Sequence, residues 1–196
     1  MMDGFLKREE LEALGIRQFG ESVFIGRHVI LYHPERLILG DHVRIDDFTV
    51  ISGSVQLGSY IHISQFCGLY GGEEGIVMED FSGLSAKCSV YAVSDDYTGS
   101  SMTNPMVPAQ YKPTSIQKKV TLRKHAIVGC NSVVLPGVEI AEGTAVGSLS
   151  LVTHSLEAWS IYTGIPAKRK SARKQELLKL EEQFWSDQVT GGKAGC

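Results

Sequence analysis

The chain has 196 residues, 43% of them hydrophobic, which is enough for one core with short appendages and too little for two full domains. A balance of 19 Lys and Arg against 22 Asp and Glu leaves a net charge of −3, which argues against a general binder of nucleic-acid phosphates. The cysteines Cys67, Cys88, Cys130 and Cys196 form no CxxC pair, so neither a zinc cluster nor a small disulfide scaffold fits.

Reduced thiols in a cytoplasmic, unexported protein are the expectation. No stretch approaches the ~20 apolar residues of a membrane span, so no membrane insertion is expected either. Residues 1–20 read as a lead-in with a short helix over Asp3–Gly15, where Leu6, Leu11 and Leu14 are available for one face. His28 and His33 follow in an irregular stretch containing Ile25-Gly26. Their spacing invites a metal reading, but no third histidine registers with them, and no metal site is assigned.

From residue 39 a period of six takes over. Aliphatic residues stand at Leu39, Ile45, Ile51, Leu57, Ile63 and Leu69, then at Met78, Leu84 and Val90, and again at Leu122, Val128, Val134, Ile140, Val146 and Val152. Four residues after most of these is a small or β-branched side chain, among them Val43, Thr49, Cys67, Ser94, Ala126 and Ser150. Neither a helix nor an amphipathic strand has this period. A solenoid does: each hexapeptide makes one short strand and one corner, three close a triangular coil, and coils stack about 4.8 Å apart. Gly often follows the aliphatic residue, as at Gly40, Gly58, Gly129 and Gly147, where close backbone approach or an unusual φ is easiest.

The solenoid is expected over residues 21–170, interrupted at 96–121 by an insertion rich in proline (Pro105, Pro108, Pro113). A loop of that length is usually functional or disordered. Residues 171–196 form the last segment. Leu177, Leu178, Leu180 and Phe184 suggest a helix within Ser171–Gln188 that caps the open end of the solenoid, followed by a mobile tail from Gly191 to Cys196.

The segment Val128-Gly129-Cys130-Asn131-Ser132-Val133-Val134-Leu135-Pro136-Gly137-Val138, the coil Val146-Gly147-Ser148-Leu149-Ser150-Leu151-Val152 and the exit Tyr162-Thr163-Gly164-Ile165-Pro166-Ala167-Lys168 carry a family resemblance. Together they resemble the hexapeptide-repeat acyltransferases, over roughly residues 20–170. Val43-Arg44-Ile45-Asp46-Asp47-Phe48 and Ser94-Asp95-Asp96-Tyr97-Thr98-Gly99 narrow the similarity. They point to the galactoside, maltose and streptogramin acetyltransferase branch, and within it to acyltransferases of nucleotide-linked amino sugars in surface-polysaccharide (O-antigen, lipopolysaccharide) pathways.

The resemblance implies an all-β, left-handed parallel β-helix that assembles as a homotrimer with its sites between subunits. It further implies acetyl-CoA as co-substrate and a sugar, nucleotide-linked in the favoured reading, as acceptor. Acetyl-CoA would lie near Gly129, Gly147, Ser148, Thr163, Gly164, Ala167, Lys168 and Arg169. The two glycines could equally be corner residues only. The basic run Lys168, Arg169, Lys170, Arg173 and Lys174 is either a solvated stretch or a phosphate-binding cluster.

Acyl transfer needs a deprotonated nucleophile and donors for the developing oxyanion. Relatives of the galactoside type place a histidine base at the start of the long loop, where this chain has Asp95. Asp95 could be a carboxylate base, a partner for an ammonium group, or the first residue of an Asx-turn with Asp96. The replacement imidazole is His62, which points outward beside Ser64 and could meet Asp95 between subunits; it could also be a surface or interface histidine. Ser64, Asp96 and Tyr97 are the expected acceptor-binding residues, and His125 could line the groove. The missing histidine favours transfer to an amine, which needs less help than a hydroxyl. An O-acetyltransferase of a sugar or antibiotic and a non-catalytic β-helix assembly module are the alternatives.

Overall fold

The six-residue period becomes three flat faces. A computed structural model describes residues 4–191, and in it strands from successive coils stack in parallel, left-handed register. Face one runs through Phe19, Leu39, Leu57, Met78, Leu122, Ile140 and Leu156. Face two carries Ile25, Ile45, Ile63, Leu84, Val128, Val146 and Tyr162. Face three carries Leu31, Ile51, Leu69, Val90, Val134 and Val152. Two long strands, Val50–Leu57 and Gly68–Met78, run around the corner from face three to face one.

Every aliphatic residue expected to point inward, from Leu39 to Val152, is buried. Each such side chain contributes about 1.5–3 kcal/mol relative to exposure, so the column is the main source of stability. The small residues four positions later are buried too, except Ser94, because the chain leaves the coil after Ala92. Their hydroxyls are satisfied internally: Thr49 donates to the Ser64 carbonyl, and Ser132 and Ser150 both donate to that of Gly147.

The corners divide the work between two positions. The glycine after the aliphatic residue is there for close approach: a Cβ at Gly129 would lie 2.5 Å from the Ser148 amide nitrogen, and one at Gly40 2.7 Å from the Gly58 carbonyl. The left-handed φ falls two residues later, at His42, Phe48, Tyr60, Phe66, Phe81, Lys87, His125, Asn131 and Leu149, with Gly at 137 and 143. These residues stack into columns along the corners. His42, Tyr60, Phe81 and His125 line the corner between faces one and two; His28, Phe48 and Phe66 line that between faces two and three.

Helix α1 spans only Arg8–Ala13, shorter than Asp3–Gly15; Leu11 is its buried residue, and Glu10 pairs with Arg27 on the first coil. The insertion rests on an antiparallel pair, Val93–Ser94 with Ile116–Gln117, and the coil resumes at Val120–Leu122, before the expected end of the loop at 121. After the last coil, Lys168–Ala172 folds back antiparallel on Ser160–Thr163, so residues 171 and 172 are strand. Helix α2 spans Leu177–Gly191. It does not close an open end of the solenoid. Phe184 and Trp185 pack edge-on against Tyr60 and Phe81, laying the helix along the first corner. Gly192 to Cys196, most of the expected mobile tail, lie outside the described residues. No helix among the described residues is long and apolar enough to cross a membrane.

Candidate active site

Alternation along a strand turns every second residue of face three outward. Ser52, Tyr70, Tyr91, Val133 and Leu151 therefore form a floor, and the insertion overhangs it with Asp95, Tyr97, Pro105 and Ile116. Between floor and loop runs a mainly apolar groove of about 1140 Å³, reaching Leu135 and Thr153 on the later coils. Tyr70 and Tyr91 stack within it at 4.8 Å. Lys118, just before the re-entry strand, completes the wall.

Asp95 sits half-buried at the mouth of this groove, and its Oδ2 accepts the Asn104 N–H at 3.0 Å. Asp96 behaves differently. Its side chain turns into the loop, where Oδ1 accepts the Thr98 N–H and hydroxyl and Oδ2 accepts the N–H groups of Ser100 and Ser101. The Thr98 amide and hydroxyl, with help from Thr114 and Ser100, hold its carboxyl at about 2 against the opposing effect of burial. Asp96 thus spends its acceptors on its own loop and is not placed to bind an acceptor sugar. Tyr97, beside it, is 92% exposed on the rim.

His62 lies outward on face two, in register with Arg44 below and Gly83 above. It does not meet Asp95 within the protomer. Its Nε2 is 2.8 Å from Asp46 Oδ2, while Arg44 Nε donates to Asp46 Oδ1 at 2.7 Å. Burial pushes the Asp46 carboxyl up, but the His62 and Arg44 contacts outweigh it and hold it below the ordinary value. Residue types alone drew attention to His62 and missed Asp46; the eighteen-residue coil offset, which puts Arg44 beneath His62 and Asp46 beneath Ser64, is the signal that finds it. Ser64 follows at the corner and its hydroxyl donates to Gln65. One coil further on, Ser85 occupies the same corner, with a hydroxyl that makes no hydrogen bond among the described residues.

The residues expected to hold acetyl-CoA fall into three groups. Gly129 and Gly147 are required by packing, since a Cβ at Gly147 would meet the Thr163 methyl at 2.6 Å. Ala167 is fully buried with its N–H bonded to the Leu151 carbonyl, so its side chain cannot touch a ligand. Ser148, Thr163, Gly164, Lys168 and Arg169 remain at least partly accessible around the last hairpin. Arg169 is partly engaged by Ser160 and Glu157. Arg173 leaves the cationic cluster altogether: its guanidinium donates to the carbonyls of His125 and Gly143, and burial lowers its pKa. His125 does not line the groove either, because its ring is sandwiched under α2 and paired with Glu181. No group of three or more metal-ligating side chains occurs among the described residues.

The geometry is a hexapeptide coil with a long loop overhanging one outer face and a basic hairpin at its far end. No protein-family model matches the chain. It is 38% identical over 184 residues to a dTDP-4-amino-4,6-dideoxy-D-glucose acyltransferase of Escherichia coli, covering 92% of this chain and 94% of that one. AntD, an N-acyltransferase from Bacillus cereus solved with dTDP and 3-hydroxybutyryl-CoA, superposes with a TM-score of 0.93 at 42% identity, over 95% of this chain and 98% of that one. A chloramphenicol acetyltransferase of Klebsiella aerogenes matches over only 62 residues, at 37% identity and 30% of each chain. The chain belongs to the hexapeptide-repeat acyltransferases, in the branch that acts on nucleotide-linked amino sugars.

Proposed function

We propose that this protein is a cytoplasmic homotrimer that transfers acetyl from acetyl-CoA to the amino group of a dTDP-linked 4-amino-4,6-dideoxy sugar used in surface lipopolysaccharide synthesis. One observation carries the reading. The likeness to AntD extends over nearly the whole chain, loop included, and AntD has been solved with dTDP-4-amino-4,6-dideoxyglucose and coenzyme A together. In this chain the loop presents a carboxylate, Asp95, where a base for an amine acceptor is needed. Solved variants of AntD substitute a serine and an aspartate ten positions apart, the spacing of Ser85 and Asp95 here.

The amino group arrives as an ammonium ion, which a carboxylate both attracts and can deprotonate. Its freed lone pair adds to the thioester carbonyl carbon. The C–S bond then breaks, the nitrogen sheds a second proton as it becomes the amide, and the departing CoA thiolate takes that proton up. In this reading Asp95 receives the ammonium proton, and His62, held by Asp46, closes the site from the neighbouring subunit. Ser85 offers an uncommitted hydroxyl to the acceptor or to the developing oxyanion. Lys168 and Arg169 supply charge for the CoA phosphates. O-acetylation is disfavoured because Asp95, and not an imidazole, stands at the entry to the loop.

The trimer contact is assigned to the corner between faces two and three. Phe48, Phe66 and Leu149 are each more than half exposed there, and neither the insertion nor α2 covers them.

Steady-state turnover of dTDP-4-amino-4,6-dideoxyglucose with acetyl-CoA tests the chemistry. Asp95→Asn is expected to lower kcat by ~10²–10⁴-fold with the acetyl-CoA KM unchanged, the usual loss for a removed general base. His62→Ala is expected to lower it as well, and the pair to be non-additive. Full turnover in His62→Ala would place the imidazole outside the site. Near-normal turnover in both would sink the assignment.

A further inference from the structure

We propose that Asp96 is a positioning residue that sets Asp95 for proton transfer, and that it does not touch the acceptor; this rests on the reading of Asp95 given above. The argument begins with where the loop's hydrogen bonds go. A surface excursion from Val93 to Lys119 has one short antiparallel pair at its base, so something else must hold residues 95–104 in one conformation. Asp96 is 8% exposed, and its two oxygens gather four donors from Thr98, Ser100 and Ser101 at 2.7–3.0 Å.

The turn so formed is tied to the returning strand of the loop. The Ser101 hydroxyl is 2.6 Å from that of Thr114 and accepts the Thr114 N–H, and the Met102 N–H donates to the Tyr111 carbonyl. Three residues beyond Ser101, the Asn104 N–H donates to Asp95 Oδ2. The adjacent carboxylate is thereby held from both sides, through the backbone it shares with Asp96 and through Asn104. Asp95 Oδ1 has no partner among the described residues and remains for an ammonium group. Two neighbouring aspartates thus take separate tasks: one is consumed to build the loop, and the other keeps half its acceptor capacity at the groove.

The test uses the full chain with Asp96→Ala and Asp96→Asn, reading kcat, both KM values and amide exchange at Ser100, Ser101 and Asn104. Asp96→Ala is expected to raise exchange at all three amides and to lower kcat by ~10²-fold, the effect of displacing a reacting group by about 1 Å. The acetyl-CoA KM and the melting temperature of the coil should stay put, since the loop lies outside the core. Asp96→Asn keeps an oxygen for Thr98 but turns an NH2 toward the Ser100 and Ser101 N–H groups, so it should fall between wild type and Asp96→Ala. In an Asp95→Asn background, Asp96→Ala should slow turnover by no more than about twofold further, because a residue acting through Asp95 has nothing left to position. Multiplicative losses would overturn the proposal, as would a fully active Asp96→Ala beside an inactive Asp95→Asn. A fully active Asp95→Asn would instead remove the reading of Asp95 itself.

Discussion

Two corners of the coil are built alike and end differently. Each stacks rings, nearly all at left-handed positions: His42, Tyr60, Phe81 and His125 on one, Phe48 and Phe66 on the other with His28 stacked beneath them. The first is covered by α2, whose Phe184 and Trp185 lie edge-on against Tyr60 and Phe81 and whose Glu181 pairs with Lys124 and His125. The second leaves Phe48 and Phe66 half exposed, at 51% and 52%. An isolated column of rings is thus something this fold covers where it can. Under the proposed trimer, a second copy of the chain would supply at the bare column the cover that α2 supplies on the other side.

The largest effect should come from breaking the bare corner. Phe48→Asp with Phe66→Asp would bury charge in a subunit contact, and two central aromatic anchors at 2 kcal/mol or more each correspond to a loss of ~10³-fold or greater in association. Sedimentation at micromolar concentration should then show monomers, with turnover lost in parallel; a trimer that survives the double substitution would move the contact elsewhere. Stripping the covered corner should cost less and act differently. Phe184→Ala, at a half-buried site, is expected to cost about 2 kcal/mol and to speed exchange in α2 while the coil amides stay protected.

The smallest effect belongs to Glu181. Burial raises its carboxyl, but hydrogen bonds from Lys124, His125 and Trp185 prevail and hold it at about 2, against an ordinary value of 4.5. A lowered pKa contributes stability that is present above the ordinary value and lost as pH falls through the lowered one. Acid should therefore loosen α2 between about pH 4.5 and 2 in the wild type. Glu181→Gln should flatten that dependence and cost on the order of 1 kcal/mol at neutral pH, because a charged acceptor is replaced by a neutral one. An unchanged acid limb would show that the ion pairs do not hold the helix.

The coil was legible because its pattern is repetitive. Leu39, Leu57, Met78, Leu122 and Ile140 share one environment, so each checks the others, and the register they predict is the one the strands adopt. The candidate site was legible only in part. Asp95 and Tyr97 line the groove, but Asp96 turned inward, Ala167 was buried, His125 was taken by α2, and Asp46 was absent from the expected set. These residues occur once each, with no repeat to average over. What such a side chain does is fixed by which donor is nearer, and sequence spacing within a loop does not say.

The sequence by itself determined the coil: which residues point inward, that an insertion interrupts it, and that small or β-branched residues are buried beside the aliphatic column. Burial of apolar side chains depends on pattern, and the pattern is written along the chain. Only the tertiary structure decided that His62 leans on Asp46, that Lys168–Ala172 returns as a strand, and that α2 lies along a corner and not over an end. Hydrogen bonds and ring contacts act over about 3–6 Å and in particular directions, so they are settled by which groups the completed coil brings within reach.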